Sequence, residues 1–310
     1  MKHIIVTAVF LLVQLVSAQA KISETEVDIN PLTKGTLFTS DKMSKKPDLV
    51  IFIAGSGPTD RNGNQQGVQC NNLLYLARAV AQEGTAVYAY DKRVVAQIAS
   101  GKIDEKEMRF NYYIDDAKEV IAFFRSKNQY RKIIVAGHSE GALIGLVAAE
   151  DGRADAYISL AGPAKPIDEI ITKQISAQAP TMHDEVKGYF DKMRKGEPFE
   201  SNPMLASIFR ESVRPYILSW MQYVPQDEIK KLKIPVLIVN GSKDLQVMPS
   251  EAEALKAAKP DAKLVIIENM NHVFKDIKGD ATENMQSYNN PDLPVMPELV
   301  SAVNQFIKTL

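Results

Sequence analysis

The sequence predicts an α/β fold, with a mostly parallel central sheet, helices on both faces and a helical insertion late in the chain. Three observations carry this. Short apolar runs bounded by glycine or polar turns recur at 49–53, 86–90, 132–136, 156–160, 235–240 and 263–267. Continuous runs of this kind suit strands buried on both faces. Segments with helical spacing alternate with them, such as Ile114, Ala117, Val120, Ile121 and Phe124 on one stripe. Strands alternating with helices imply right-handed crossovers and a parallel sheet. The third observation is the passage Ile133-Ile134-Val135-Ala136-Gly137-His138-Ser139-Glu140-Gly141-Ala142-Leu143-Ile144-Gly145, which reads as strand, sharp turn, helix.

The elements follow in order. Residues 1–20 read as a secretory signal: Lys2 supplies the positive start, 4–16 is largely apolar, and Ala18-Gln19-Ala20 fits a small-x-small cleavage site. The expected mature chain starts at Lys21 and is secreted or periplasmic, without a stable membrane anchor. Two short strands at 24–29 and 36–39 form an antiparallel edge. After the run at 49–53 comes the glycine-rich loop 54–64. Asn71 or Asn72 caps the next helix, which Gly84 ends. Residues 94–111 read as a loop with a short helix. A helix over 112–127 precedes the serine strand. Residues 164–230 break the alternation and read as a helical cap inserted into a single domain, 21–310. Its Tyr189, Phe190, Met193, Phe199, Met204 and Trp220 are expected to shape an apolar acyl pocket. A helix over 250–258, a surface loop over 278–296 and a closing helix over 298–307 complete the chain.

Composition narrows the function. The chain has 310 residues, 45% of them hydrophobic and 24% charged, and a net charge of −1. That balance gives no footprint for nucleic acid or an anionic membrane. Cys70 is the only cysteine, so no internal disulfide can form; it reads as a small buried hydrophobe near a helix start.

The chemistry gathers at the C-terminal ends of the strands, where sites in such sheets form. In Gly-x-Ser-x-Gly, Ser139 stands on a strained strand-to-helix turn. A serine hydroxyl needs a base to take its proton. His138 adjoins Ser139 but is expected to point away, and His183 falls in the cap. His272 follows the last strand at the correct edge and is the expected base. Asp244, just past a strand end, is the expected carboxylate partner, with Glu268 as the alternative. The oxyanion hole is expected from the backbone N–H groups of Glu140 and Ser56. Asp60 and Arg61 either pair to fix the glycine loop or form a solvated surface pair.

The order Ser139, Asp244, His272, together with the serine turn, resembles the α/β-hydrolase superfamily over essentially all of 21–310. More narrowly, the chain is similar to a bacterial esterase group carrying Gly-Ser-Gly-Pro-x-Asp-Arg-x-Gly-Asn, here 55–64. That group's Tyr-Asp-Lys-Arg stands at 90–93 and its Tyr-x-Asn-Pro at 288–291, while Val94 replaces the usual glycine after Asp-Lys-Arg. The resemblance implies hydrolysis of a small-molecule ester by serine chemistry, with no cofactor and no metal. A serine peptidase of the same superfamily and a non-catalytic binding protein on this fold are the competing readings.

Overall fold

The computed structural model describes residues 20–310, so the expected signal sequence lies outside the described residues except for Ala20. Eight strands build one sheet: β1 (Ile22–Asn30), β2 (Thr33–Ser40), β3 (Leu49–Ile53), β4 (Ala86–Tyr90), β5 (Ile133–His138), β6 (Ala156–Leu160), β7 (Val236–Gly241) and β8 (Lys263–Ile267). Their order is β1-β2-β4-β3-β5-β6-β7-β8. The β1–β2 hairpin is antiparallel and joins β4 antiparallel, whereas every pair from β4 to β8 is parallel.

Along the central strands, successive side chains feed opposite cores. Leu49, Ile51, Ile53, Ile133, Val135, Val236 and Ile238 face one side. Val50, Phe52, Ile134, Ala136, Leu237 and Val239 face the other. This is the two-residue period of a pleated strand, and it explains why these runs are apolar on both faces.

The helices are α1 (Asn72–Gln82), α2 (Arg93–Ala99), α3 (Phe110–Lys127), α4 (Glu140–Ala148), α5 (Ile167–Gln178), α6 (His183–Lys195), α7 (Ala206–Phe209), α8 (Arg214–Trp220), α9 (Pro225–Lys231), α10 (Pro249–Ala258), α11 (Ala281–Ser287) and α12 (Pro297–Lys308). Helices α1 and α12 cover one face through Leu73, Leu76, Val80, Leu299, Val303 and Phe306. Helices α3, α4 and α10 cover the other, and α5–α9 are inserted between β6 and β7.

Three local expectations differ from the structure. Neither Asn71 nor Asn72 caps α1 with its side chain. The Asn62 carbonyl accepts from the N–H groups of Leu73 and Leu74 instead, at 3.2 and 3.3 Å. The glycine loop is thereby fastened to the start of α1. The expected surface loop 278–296 contains α11, whose Asn284 and Ser287 are buried. Asp280 caps it, accepting from Thr282 and Glu283 N–H. Its polar composition reads as loop because amides that bury in pairs look the same in sequence as amides that face water.

The third difference concerns the insertion. Tyr189, Phe190, Met193 and Trp220 are buried in packing rather than lining an acyl pocket. Tyr189 stacks on Phe199 at 5.0 Å, Phe190 meets Phe209 at 4.9 Å, and Trp220 stacks on Phe110 of α3 at 5.1 Å. Met204 is 76% exposed. Helical spacing marks a buried stripe but does not say which neighbour the stripe faces.

Candidate active site

Ser139 joins β5 to α4 at φ 55°, ψ −120°, a conformation that costs a non-glycine residue roughly 1–3 kcal/mol. The flanking glycines permit it. A Cβ on Gly137 would lie 2.0 Å from the Gly141 carbonyl oxygen, and one on Gly141 would lie 2.4 Å from that of Ile53. The turn is also pinned by the Ser139 N–H, which donates to Leu160 O at 2.9 Å. Glu140 opens α4, so its N–H belongs to the first turn and has no partner within the helix.

Asp244 and His272 meet behind this turn. His272 Nδ1 lies 2.8 Å from Asp244 Oδ2, and both residues are buried. A carboxylate facing Nδ1 places the proton there and leaves Nε2 as the lone-pair nitrogen. The other oxygen, Oδ1, accepts from Gln246 and Val247 N–H at 2.8 and 2.9 Å. Asp244 is thus at once an ordinary turn aspartate and the partner of a histidine. Glu268, just past β8, is exposed, and it is Asp244 that faces His272.

The two loops that carry these residues are stitched together. Lys243 N–H donates to Met270 O, and Asn269 N–H to Ser242 Oγ. Asn271 donates through Nδ2 to Asn284 and Ser287 of α11, while its Oδ1 accepts from Val273 and Lys275 N–H. Asn284 Nδ2 returns to Lys243 O at 2.7 Å. Sequence reading missed α11 as a brace; its polar composition carried no local signal for it.

His138 departs from its expected orientation. Its ring sits 4.8 Å from that of His272, and its Nε2 lies 2.9 Å from the His272 carbonyl oxygen. Since a carbonyl only accepts, Nε2 carries the proton. Burial, reinforced by nearby His272, pushes the His138 pKa down to about 3, so the ring is neutral.

The glycine loop is held by charge. Arg61 does not pair with Asp60. It forms a bidentate pair with Asp91, at 3.1 and 2.7 Å, and also reaches Glu26 of β1 at 2.5 Å. Asp60 instead accepts from Asn62 and Asn64 N–H, closing the turn. The Ser56 carbonyl accepts from Thr59 Oγ1 and Gln65 Nε2, both at 2.7 Å. Among the described residues no acceptor bonds the Ser56 N–H. Lys92 and Glu140 form a fully buried ion pair at 2.6 Å. The segments 55–64 and 90–93, singled out separately in the sequence, are therefore partners in space.

Ser56, Ser139 and His272 line one cavity of about 170 Å³, with His138, Thr59, Gln65, Cys70, Gln246 and Tyr288. Cys70 is buried, as expected, and burial raises its thiol pKa. A larger cavity of about 410 Å³ lies on the other side of the glycine loop, lined by Gly57, Pro58, Lys92, Val94, Tyr113, Val213 and Tyr216. Among the described residues no group of three or more His, Cys, Asp or Glu is arranged to hold a metal ion.

A family model described as serine aminopeptidase, S33 (Hydrolase_4), matches residues 67–275. The chain belongs to this family. The matched span of the S33 hydrolases starts after the glycine loop and includes the residues Ser139, Asp244 and His272. Esterase EstD of Thermotoga maritima is 25% identical over 247 residues, covering 75% of this chain; the chain spans 56% of that relative's length. In solved structures, Est1E of Butyrivibrio proteoclasticus superposes with a TM-score of 0.58 at 17% identity, over 92% of this chain and 98% of that one. The Pyrococcus furiosus esterase Pf2001 gives 0.55 at 16% identity, over 94% and 91%. These likenesses place the S33 chain in the α/β-hydrolase fold.

Proposed function

We propose that this protein is a serine esterase that hydrolyses carboxylic esters through an acyl-enzyme. Ser139 attacks the ester carbonyl, His272 Nε2 takes its proton and returns it to the leaving alcohol, and Asp244 holds His272 in the required tautomer. The N–H groups of Ser56 and Glu140 receive the oxyanion. Water then repeats the sequence on the acyl-enzyme. The observation that carries this reading is the strained Ser139 turn sharing a cavity with a histidine whose other nitrogen faces a buried carboxylate.

The family's description favours a second reading, cleavage at the amino end of peptides. Such a substrate brings an α-ammonium group, and a buried cation needs a counter-charge. No carboxylate is among the residues lining the cavity at Ser139. In the larger cavity Glu105 is engaged by Arg210 at 2.5 Å. Neutral esters suit these surfaces better. The larger cavity, walled by Met108, Tyr113, Val213 and Tyr216, suits the bulkier substituent, and the polar 170 Å³ cavity suits a short one. Segment 164–230 is proposed as a cap that supplies Val213 and Tyr216 to that wall. Residues 1–20 are proposed as an export signal, with the mature chain starting at Lys21; N-terminal sequencing of the exported protein checks this.

The deciding experiment is hydrolysis of p-nitrophenyl esters from acetate to decanoate by residues 21–310 and by the Ser139→Ala variant, alongside aminoacyl p-nitroanilides. Ester turnover that vanishes in a folded Ser139→Ala supports the reading. Equal turnover in both removes Ser139 from it, and turnover of anilides alone favours the peptidase.

A further inference from the structure

We propose that Lys92 is the positioning residue of the oxyanion hole, setting both of its backbone donors through one buried ammonium group. The inference rests on the esterase reading above, and names how that site is held.

Lys92 follows β4 and is 2% exposed. Its Nζ donates to Gly55 O at 3.0 Å and to Glu140 Oε1 at 2.6 Å, and lies 4.4 Å from the centre of the Tyr113 ring. An ammonium has three protons, and these three partners account for them. The group therefore has a fixed orientation rather than a choice of rotamers.

The two polar partners are the informative ones. The Gly55 carbonyl belongs to the same planar peptide unit as the Ser56 N–H. Holding the oxygen at Lys92 directs that N–H to the opposite side. A cation on the carbonyl also polarises the peptide, which makes its N–H a stronger donor. Glu140 is the residue whose own N–H is the second donor. Its side chain, anchored on the same nitrogen, fixes the first residue of α4 relative to the glycine loop. One charge thus ties together two segments whose N–H donors, 84 positions apart in sequence, must meet a single oxygen.

The burial of the pair argues the same way. Isolating an ion pair from water is costly, and apolar side chains of similar volume are frequently as stable. A pair buried to 2% and 1% exposure is weak as a stabilising device. Its geometry is what a donor array needs.

The test compares Lys92→Met with the double variant Lys92→Met/Glu140→Gln, each in the full mature chain. The double variant leaves neither charge uncompensated and keeps the Glu140 backbone N–H. Three quantities are read: kcat and KM on one p-nitrophenyl ester, and the affinity of a short alkyl boronic acid, whose tetrahedral adduct on serine occupies the oxyanion hole. We expect both variants to lose about 10²-fold in kcat, with KM within threefold, and boronate affinity to fall in parallel with kcat/KM. If the double variant folds and turns over at the wild-type rate, the pair serves only charge balance and the proposal is overturned. It is also overturned if kcat falls while boronate affinity stays at the wild-type value. Failure of the underlying reading looks different: wild-type protein then shows no hydrolysis that depends on Ser139.

Discussion

On the Ser139 side of the cavity, position is enforced by charge. Lys92–Glu140 is a fully buried ion pair, Arg93–Asp116 has one buried member, and Arg61–Asp91 is half-buried. On the His272 side the bonds that join the two loops are between neutral groups, Asn271, Asn284, Ser287 and the backbone of the Asp244 turn, and the buried cation there, Lys275, donates to the Leu293 carbonyl. The difference has a physical reason. The glycine loop has no regular structure and small side chains, so long charged side chains from elsewhere must reach in to hold it. The loops after β7 and β8 emerge from adjacent parallel strands, already within amide reach of each other. Charged clamps reach farther, but fail harder when one partner is lost.

That contrast can be broken at four points. The largest effect is expected from Asp244→Asn. Its Oδ1 still accepts from Gln246 and Val247, so the turn survives, but the amide presents the wrong tautomer to His272. We expect kcat to fall about 10⁴-fold with an unchanged melting temperature, read by steady-state kinetics and calorimetry. Next is Glu140→Ala, which leaves the Lys92 charge buried without its carboxylate. A loss of about 3–5 kcal/mol is expected in urea unfolding. On the neutral side, Asn284→Ala removes the bonds to Lys243 and Asn271 and should cost only about 1–3 kcal/mol. A loss as large as that of Glu140→Ala would erase the distinction between the two sides.

The most gradual effect concerns pH. His138 titrates near 3 when folded and near its ordinary value when unfolded. Between about pH 6.5 and 3 the unfolded chain therefore binds the extra proton, and stability falls as pH falls. The slope is about 1 kcal/mol per pH unit. His138→Gln should flatten that part of the stability curve, measured by urea midpoints between pH 6.5 and 4. An identical slope in the variant would assign the acid sensitivity to other groups.

Much of this was legible in the sequence, for reasons that differ by residue. The buried strands announce themselves because both faces demand apolar side chains. Gly137 and Gly141 are legible because no other residue fits beside the backbones of α4 and β3. Ser139, Asp244 and His272 could be picked out because each follows a strand at the same edge. Partners across the fold were not legible. Arg61 was paired with its neighbour Asp60, but its fork meets Asp91, 30 residues on. His138 was turned away from the site because strand alternation fixes the face a side chain leaves from and not what the next loop brings to it. The aromatic residues of the insertion were assigned to a pocket, and they pack on one another and on α3. In each case the missing information is tertiary, a contact between segments that no local period encodes.

The bonds from α1 and the residues just before it to the end of the chain also bear on events in time. Gln69 N–H donates to Asn289, 220 residues later, and Tyr75 OH to the Pro291 carbonyl, 216 residues later. A nascent chain emerging from the ribosome can complete the Ser139 turn once Leu160 has appeared, since that bond is comparatively local. It has no His272, no α11 and no brace until almost all of it has been made. Each such closure costs more chain entropy than a local one. On the proposed reading, the nucleophile therefore meets its base only after most of the chain has been made.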